Sequence, residues 1–232
     1  MKVCKHLKLN KNPASTLPGV RSLGTLAFFL FVSSFPAQAA SLQEITTPKT
    51  FADWCLNKAN LSVETKRTID ALLEEAKTQD CHQANKLLSR STSLNLFYKS
   101  ISDLRPLSTL TNLRELDLRE PDLENNEVTD LRPLSKLTNL KKLYLENNRI
   151  TDLRPLLTLT NLNFLYLENN KITDLRPLST LTKLNSLELE NNEITDLRPL
   201  STLTNLAVLY LRNNQTLVDK TCPVKPESIC TF

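Results

Sequence analysis

Four aspartates recur at a constant spacing of 22 residues, and carboxylates in such a register could act in pairs or hold a stack of calcium ions. Asp130, Asp152, Asp174 and Asp196 are each followed two residues later by an arginine. Because that arginine supplies a counter-ion, the pattern favours a ladder of surface ion pairs over a metal site. We therefore expect no metal ion and no cofactor.

A cysteine beside a histidine, Cys81-His82, is the other place where chemistry could occur, since imidazole can activate a thiol as a nucleophile. Adjacent residues on a helix do not face each other, which argues against that pair. Beyond residue 39 the chain has one histidine and no glycine, so it offers neither a glycine-rich phosphate loop nor a G-x-S-x-G nucleophile elbow. We predict no catalytic residues and a protein that is not an enzyme.

A third set of residues could bind a protein. Aromatic or charged residues alternate with leucines in a repeated segment, so strand geometry places them on one exposed face. Aromatic side chains offer large contact area at low entropy cost, and acids beside them suit a partner with a basic patch. Alternatively, tyrosine simply favours strands and glutamate keeps the sheet soluble. The residues expected to contact the partner are Lys142, Tyr144, Glu146, Phe164, Tyr166, Glu168, Glu188, Glu190 and Tyr210.

These candidate binding residues belong to a 22-residue segment that occurs four times over residues 128–215. Each copy contains the motif L-x-x-L-x-L-x-x-N, for example Leu140, Leu143, Leu145 and Asn148. A fixed period in this range is typical of a solenoid, whose units bury their apolar faces only against their neighbours. The alternation within the motif predicts one short strand per copy, and stacking the copies predicts a parallel sheet.

An asparagine recurs in every copy at the point where the strand must turn. Its amide can bond backbone groups that the turns of a coil leave unpaired, so we predict a buried structural ladder and not a ligand site. The members of this ladder are Asn126, Asn148, Asn170, Asn192 and Asn214. A longer copy of 27 residues, 101–127, precedes the others and carries a five-residue insertion near Pro121, which we expect to form a loop.

The return half of each copy, D-L-R-P-L, contains a proline that excludes a long helix and suits a single 3₁₀ turn. Over residues 101–215 the whole pattern resembles the leucine-rich repeat, and its 22-residue period is similar to the internalin-like class of exported bacterial proteins. The resemblance implies an α/β solenoid with short parallel strands on the concave face and 3₁₀ or irregular segments on the convex face. It also implies a protein-interaction module that works through the concave sheet.

Both ends of the repeats are predicted to be capped. Residues 51–92 favour a small helical cap, with Ser62 as one helix start and a capping box from Asp80 and Gln83 at another. Residues 93–97 form a degenerate first coil, so the repeats run over 93–215, and 216–232 form the C-terminal cap. Four cysteines allow three pairings, and their placement, two in each cap, favours Cys55–Cys81 and Cys222–Cys230.

The first 39 residues combine a basic lead, a short apolar run and a small-x-small site, which is typical of a secretory signal peptide, and 40–50 form a linker. Without the signal's five basic residues, the 29 basic and 25 acidic residues become 24 and 25, which gives no argument for nucleic acid binding and leaves no membrane span. We expect an exported protein in the periplasm, at the cell surface or outside the cell. The alternative function is a structural or self-associating component of the cell envelope without a specific partner.

Overall fold

Each coil of the solenoid contributes one short strand to a single parallel sheet. The computed structural model describes residues 48–120 and 128–232. Its strands pair in chain order and residue for residue, so the coils stack in register. Within the described residues these strands are β1 (Ser93–Asn95), β2 (Glu115–Asp117), β3 (Lys142–Tyr144), β4 (Phe164–Tyr166), β5 (Ser186–Glu188), β6 (Val208–Tyr210) and β7 (Cys230–Thr231).

The core of the repeats is a stack of leucines. The middle residue of each strand points inward, so Leu143 lies opposite Leu116 on one side and Leu165 on the other. All three are fully buried, and the leucines of the return half close the core from the convex side. No coil can bury these side chains alone, which is why the coils depend on their neighbours for stability.

The return half of each coil forms a 3₁₀ helix with proline in its first turn. Proline has no backbone N–H, but in the first turn that group would have no partner within the helix, so its absence costs no hydrogen bond. These observations confirm the predicted α/β leucine-rich repeat solenoid. Among the described residues, the convex 3₁₀ helices span Arg105–Thr109, Arg132–Lys136, Arg154–Thr158, Arg176–Thr180 and Arg198–Thr202, and Lys58–Asn60 and Glu227–Ile229 form 3₁₀ helices outside the repeats.

The N-terminal cap contains α1 (Phe51–Leu56), α2 (Val63–Glu75) and α3 (Cys81–Leu88). Ser62 and Asp80 accept the capping bonds predicted for α2 and α3, at 3.3 and 2.7 Å. The predicted capping box at α3 is incomplete, because the Gln83 side chain accepts from the Thr78 hydroxyl and not from the Asp80 backbone. A complete capping box occurs at Thr50 and Asp53, where α1 begins.

Two disulfides confirm the predicted pairing. Cys55–Cys81 joins α1 to the start of α3, with Cα atoms 5.6 Å apart, and Cys222–Cys230 lies in the C-terminal segment, with Cα atoms 5.8 Å apart. Strand β7, which the sequence pattern does not predict, carries Cys230 and extends the sheet beyond β6. Disulfides of this kind are typical of proteins that fold in an oxidising compartment.

Several predictions fall on residues that the structure does not describe. These are the signal peptide at 1–39, the first part of the linker at 40–50, and the insertion with Pro121 and Asn126. Among the described residues, no helix has the length and apolar character needed to cross a bilayer.

Candidate partner-binding face

The end of each strand is fixed by a buried asparagine that links neighbouring coils. The Asn170 amide nitrogen donates to the carbonyls of Leu145 in the preceding coil and Leu167 in its own, both at 3.0 Å. Its amide oxygen accepts from the Ile150 backbone N–H, also at 3.0 Å. Buried backbone groups are thereby satisfied, so the outward side chains beside them are held in a fixed register. Asn148, Asn192 and Asn214 make the same set of bonds.

A second row of asparagines, which the sequence analysis missed, lies one residue before the first. Asn147, Asn169, Asn191 and Asn213 have φ values of 54 to 61°, in the left-handed region that asparagine tolerates better than most residues. The Asn169 amide nitrogen donates to the Asn147 amide oxygen at 2.7 Å, and Asn213 donates to Asn191 at 2.8 Å. The doubled Asn-Asn in every 22-residue copy was the available signal for this second row.

The outward-facing residues of the strands form the concave face, and two tyrosines occupy its centre. Tyr144 of β3 and Tyr166 of β4 are direct partners in the sheet register. Their rings stack almost parallel, with centroids 4.7 Å apart and 6° between the planes. Stacking across coils holds both side chains in one geometry, so this part of the face is ordered before any partner arrives.

Arg119 extends this stack toward the N-terminal end of the sheet. Its guanidinium lies 4.9 Å from the Tyr144 ring centroid and 5.3 Å from that of Phe97, and it donates to the Asp117 carboxylate at 2.6 and 2.9 Å. Bonding to Asp117 raises the pKa of Arg119. Phe97 was not among the predicted binding residues, because it belongs to the degenerate first coil, where the repeat motif is weakest.

The remaining aromatic candidates lie apart from this stack. Lys142 contacts the Glu115 carboxylate at 3.6 Å and lies 5.9 Å from the Phe164 ring centroid. Tyr210 occupies the same row as Tyr166, but Glu188 stands between them in the sheet register. The structure therefore groups Tyr144 with Tyr166 and leaves Phe164 and Tyr210 as separate positions on the face.

Acids flank the tyrosines on the C-terminal side. Burial raises the pKa of Glu146 to about 7, with Asp117 and Glu188 adding to the shift, and its Oε2 atom is buried without a hydrogen-bond partner. Burial also raises the pKa of Glu188, aided by Glu168 and Glu190. Glu168 accepts from the Asn169 amide at 3.1 Å, and Glu190 lies 3.8 Å from Arg212. The four acids are thus crowded, and a cation from outside would relieve their mutual repulsion.

The convex face uses its charges differently. Each aspartate of the D-L-R motif accepts bonds from the arginine two residues later, as in Asp174, whose carboxylate accepts from the Arg176 backbone N–H, Nε and Nη2 at 2.8 to 3.0 Å. These bonds lower the pKa of Asp174. Across the described ranges, no group of three or more histidine, cysteine, aspartate and glutamate side chains is arranged to hold a metal ion.

Comparisons with known proteins agree with this architecture. Residues 122–158, 138–180 and 160–202 each match the family described as Leucine Rich repeats (2 copies). No curated protein sequence matches the chain.

Among solved structures, an internalin of Listeria monocytogenes, InlF, is 32% identical over 68% of this chain, with a TM-score of 0.60. The functional domain of InlJ from the same organism, which includes a cysteine ladder, is 25% identical over 77% of this chain, with a TM-score of 0.57. A leucine-rich repeat protein of Leptospira interrogans is 30% identical over 61%, with a TM-score of 0.50. The chain spans 45%, 37% and 34% of these structures, respectively.

Proposed function

Because the chain is an internalin-like leucine-rich repeat protein, we propose that it is an exported interaction module that binds a protein partner through its concave sheet. Leucine-rich repeat proteins of this type act in protein–protein interactions. The observation that carries the proposal is the stacked pair Tyr144 and Tyr166, partly exposed at the centre of an ordered face. Aromatic residues fixed in this way are typical of the few positions that dominate binding energy.

The charges on the same face support a partner with basic residues. Six acids and three basic residues face outward from β2 to β6 and the residues that follow each strand. Two of the basic residues, Arg119 and Lys142, already contact acids of the N-terminal coils, and the third, Arg212, lies 3.8 Å from Glu190. The excess acid therefore lies around Tyr166, where Glu146, Glu168, Glu188 and Glu190 converge, and a basic surface would be complementary there.

The test begins with affinity purification of partners from envelope and culture-fluid proteins, using the oxidised protein as bait. For a purified partner, Tyr166→Ala should weaken binding by at least about 1 kcal/mol while leaving the melting temperature nearly unchanged. Association should slow as salt is added, because complementary charges accelerate encounter. Leu157→Ala on the convex face removes an exposed leucine of comparable size and serves as the matched control.

Two results would redirect the proposal. Undiminished affinity in a Tyr144→Ala, Tyr166→Ala double variant would move the binding site off the concave sheet. Robust self-association with no other partner would favour the alternative, a structural or self-associating component of the envelope.

Export is the second part of the proposal, and the two disulfides support it together with the signal-like first 39 residues. Mass spectrometry of the native protein should show a chain that starts near Ala40 and contains no free thiol. A reduced chain that still carries Met1 would contradict export.

A further inference from the structure

The first coil of the sheet departs from the others in the residues that follow its strand, and Tyr98 is one of them. Leu96-Phe97-Tyr98-Lys99 aligns with Leu145-Glu146-Asn147-Asn148, so Tyr98 stands where later coils have the first asparagine of Asn-Asn. The two backbones make equivalent hydrogen bonds to the next coil. The Tyr98 N–H donates to the carbonyl of Arg119 at 3.3 Å, and the Asn147 N–H donates to the carbonyl of Glu168 at 2.9 Å. Its φ is 67°, against 56° for Asn147.

Tyrosine is a poor choice for the stability of this position. The left-handed region is unfavourable for a bulky residue and is tolerated better by asparagine. Tyr98 is 60% exposed, so burial does not offset this cost. Positions where a sequence opposes its own local structure without a packing gain are where function is expected.

The surroundings of Tyr98 connect it to the concave face. Its ring meets the Phe97 ring edge to face, with centroids 5.7 Å apart, and Phe97 is itself 41% exposed. Phe97 contacts Arg119, which contacts Tyr144, which stacks on Tyr166. The concave face thus has an aromatic end at the first coil and an acidic end beyond Tyr166.

We propose that Phe97 and Tyr98 form the N-terminal end of the partner-binding face and that the partner presents a linear segment with apolar residues at one end and basic residues at the other. This inference rests on the proposed function. Five strands, β1 to β5, span about 19 Å at the usual strand spacing, and the five residues from Lys142 to Glu146 make the face about 13 Å wide. A face of that shape fits an extended segment of about six residues better than a broad globular surface.

The experiment uses a displayed library of random linear peptides, selected on the immobilised oxidised protein. Selected peptides should combine basic with aromatic or aliphatic residues, and their affinities are then measured by fluorescence anisotropy. Tyr98→Asn should weaken binding by about fivefold or more, as expected for an exposed aromatic contact. The same substitution should raise the melting temperature by about 2 to 4 °C, because it restores the residue type that the backbone position favours.

Controls separate the failure of this inference from the failure of the proposed function. Phe97→Ala should also weaken binding, whereas Leu157→Ala on the convex face should not. The variants are produced in a bacterial host, because Tyr98→Asn creates an Asn-x-Ser glycosylation sequence. If Tyr166→Ala weakens binding and Tyr98→Asn does not, the N-terminal end is wrongly assigned and the proposed function stands.

If no peptide with basic residues is enriched, this inference is wrong and the proposed function still rests on its own test with a purified partner. If neither Tyr98→Asn nor Tyr166→Ala weakens the binding of any selected peptide, the site lies off the concave sheet and both proposals are wrong. A lower melting temperature in Tyr98→Asn would show that tyrosine stabilises the coil, and the inference would fail for that reason.

Discussion

The two faces of the solenoid use charged residues in different ways. On the convex face, each aspartate is bonded by the arginine two residues away in the same coil, as in Asp130 with Arg132 and Asp174 with Arg176. On the concave face, charged side chains also contact the next coil: Arg119 bonds Asp117 in its own coil and reaches Tyr144, and Lys142 reaches Glu115. A convex ion pair is therefore complete within one coil, whereas these concave side chains depend on their neighbours as well.

This difference explains the pattern of variation among copies. A self-contained ion pair can be duplicated unchanged, because its contacts travel with the copied segment. A concave contact depends on the residue that the adjacent coil supplies, and those outward residues differ from copy to copy. The tyrosine stack and the cluster of acids are therefore properties of adjacent coils together and of none alone.

The largest loss of stability is expected from a substitution in the leucine stack that supports both faces. Leu165→Ala removes a fully buried side chain from β4 and should lower the free energy of unfolding by about 2 to 5 kcal/mol through lost burial and a cavity. Leu157→Ala, at a convex leucine that is 40% exposed, is the control and should have little effect. Equal losses in urea denaturation would mean that the assignment of core and surface is wrong.

The second-largest loss of stability is expected from a substitution in the buried asparagines that fix the ends of the strands. Asn170→Ala leaves the N–H of Ile150 buried without its partner and removes one of the two amide bonds to the Leu167 carbonyl, which Asn192 still bonds, and it should cost about 1 to 3 kcal/mol. Asn161→Ala removes an exposed amide bonded to the Thr138 carbonyl and should cost less. Thermal melts can compare the two, and a larger loss at Asn161 would contradict the structural role of the ladder.

A smaller, pH-dependent effect is expected at Glu146. Its pKa is raised from 4.5 to about 7 by burial, so the folded protein binds more protons than the unfolded chain between these values. Stability should therefore fall as the pH rises through that window. At about pH 8, Glu146→Gln should raise the free energy of unfolding by about 1 kcal/mol, a value reduced for the partial exposure of the carboxylate.

At about pH 4, where both states carry a protonated Glu146, the substitution should leave stability unchanged. Glu193→Gln, at an exposed position, controls for the loss of one negative charge. A stability gain in Glu146→Gln that is the same at both pH values would exclude a titration of Glu146 as its cause.

The smallest effects compare an arginine from each face. Arg119→Gln should lower stability by about 0.5 to 1 kcal/mol in total, because Arg119 contacts rings of two other coils at an exposed site. Arg176→Gln should leave the melting temperature unchanged, because its exposed guanidinium bonds only to Asp174 among the described residues. A larger loss of stability in Arg176→Gln than in Arg119→Gln would contradict the proposed difference between the convex and concave faces.

The fold was largely predictable from the repeat itself. The alternation around Leu143, the proline in each return half and the recurring asparagine each have a local physical meaning, and they repeat often enough to agree with one another. Strand β7 was not predictable, because Cys230-Thr231 lies outside the repeat and joins the sheet only through its pairing with Leu209 and Tyr210. Its register is a tertiary property.

The candidate face was predictable only in part. The sequence indicated that Tyr144 and Tyr166 are neighbours, because strand alternation and the 22-residue period fix their positions. It did not include Phe97, because the first coil matches the motif poorly, and it grouped Phe164 with the tyrosines although Phe164 lies beside Lys142. Partner binding at all of these residues stays a prediction.

By itself, the sequence determined which residues point inward and which outward, because the period of a strand and the period of the repeat are both local. Tertiary structure alone decided which outward residues touch: that Arg119 lies between Phe97 and Tyr144, and that Glu146 is buried enough to hold a proton near pH 7. The physical reason is that ring stacking and desolvation depend on distances between coils, which the stacking of coils sets and no single repeat contains.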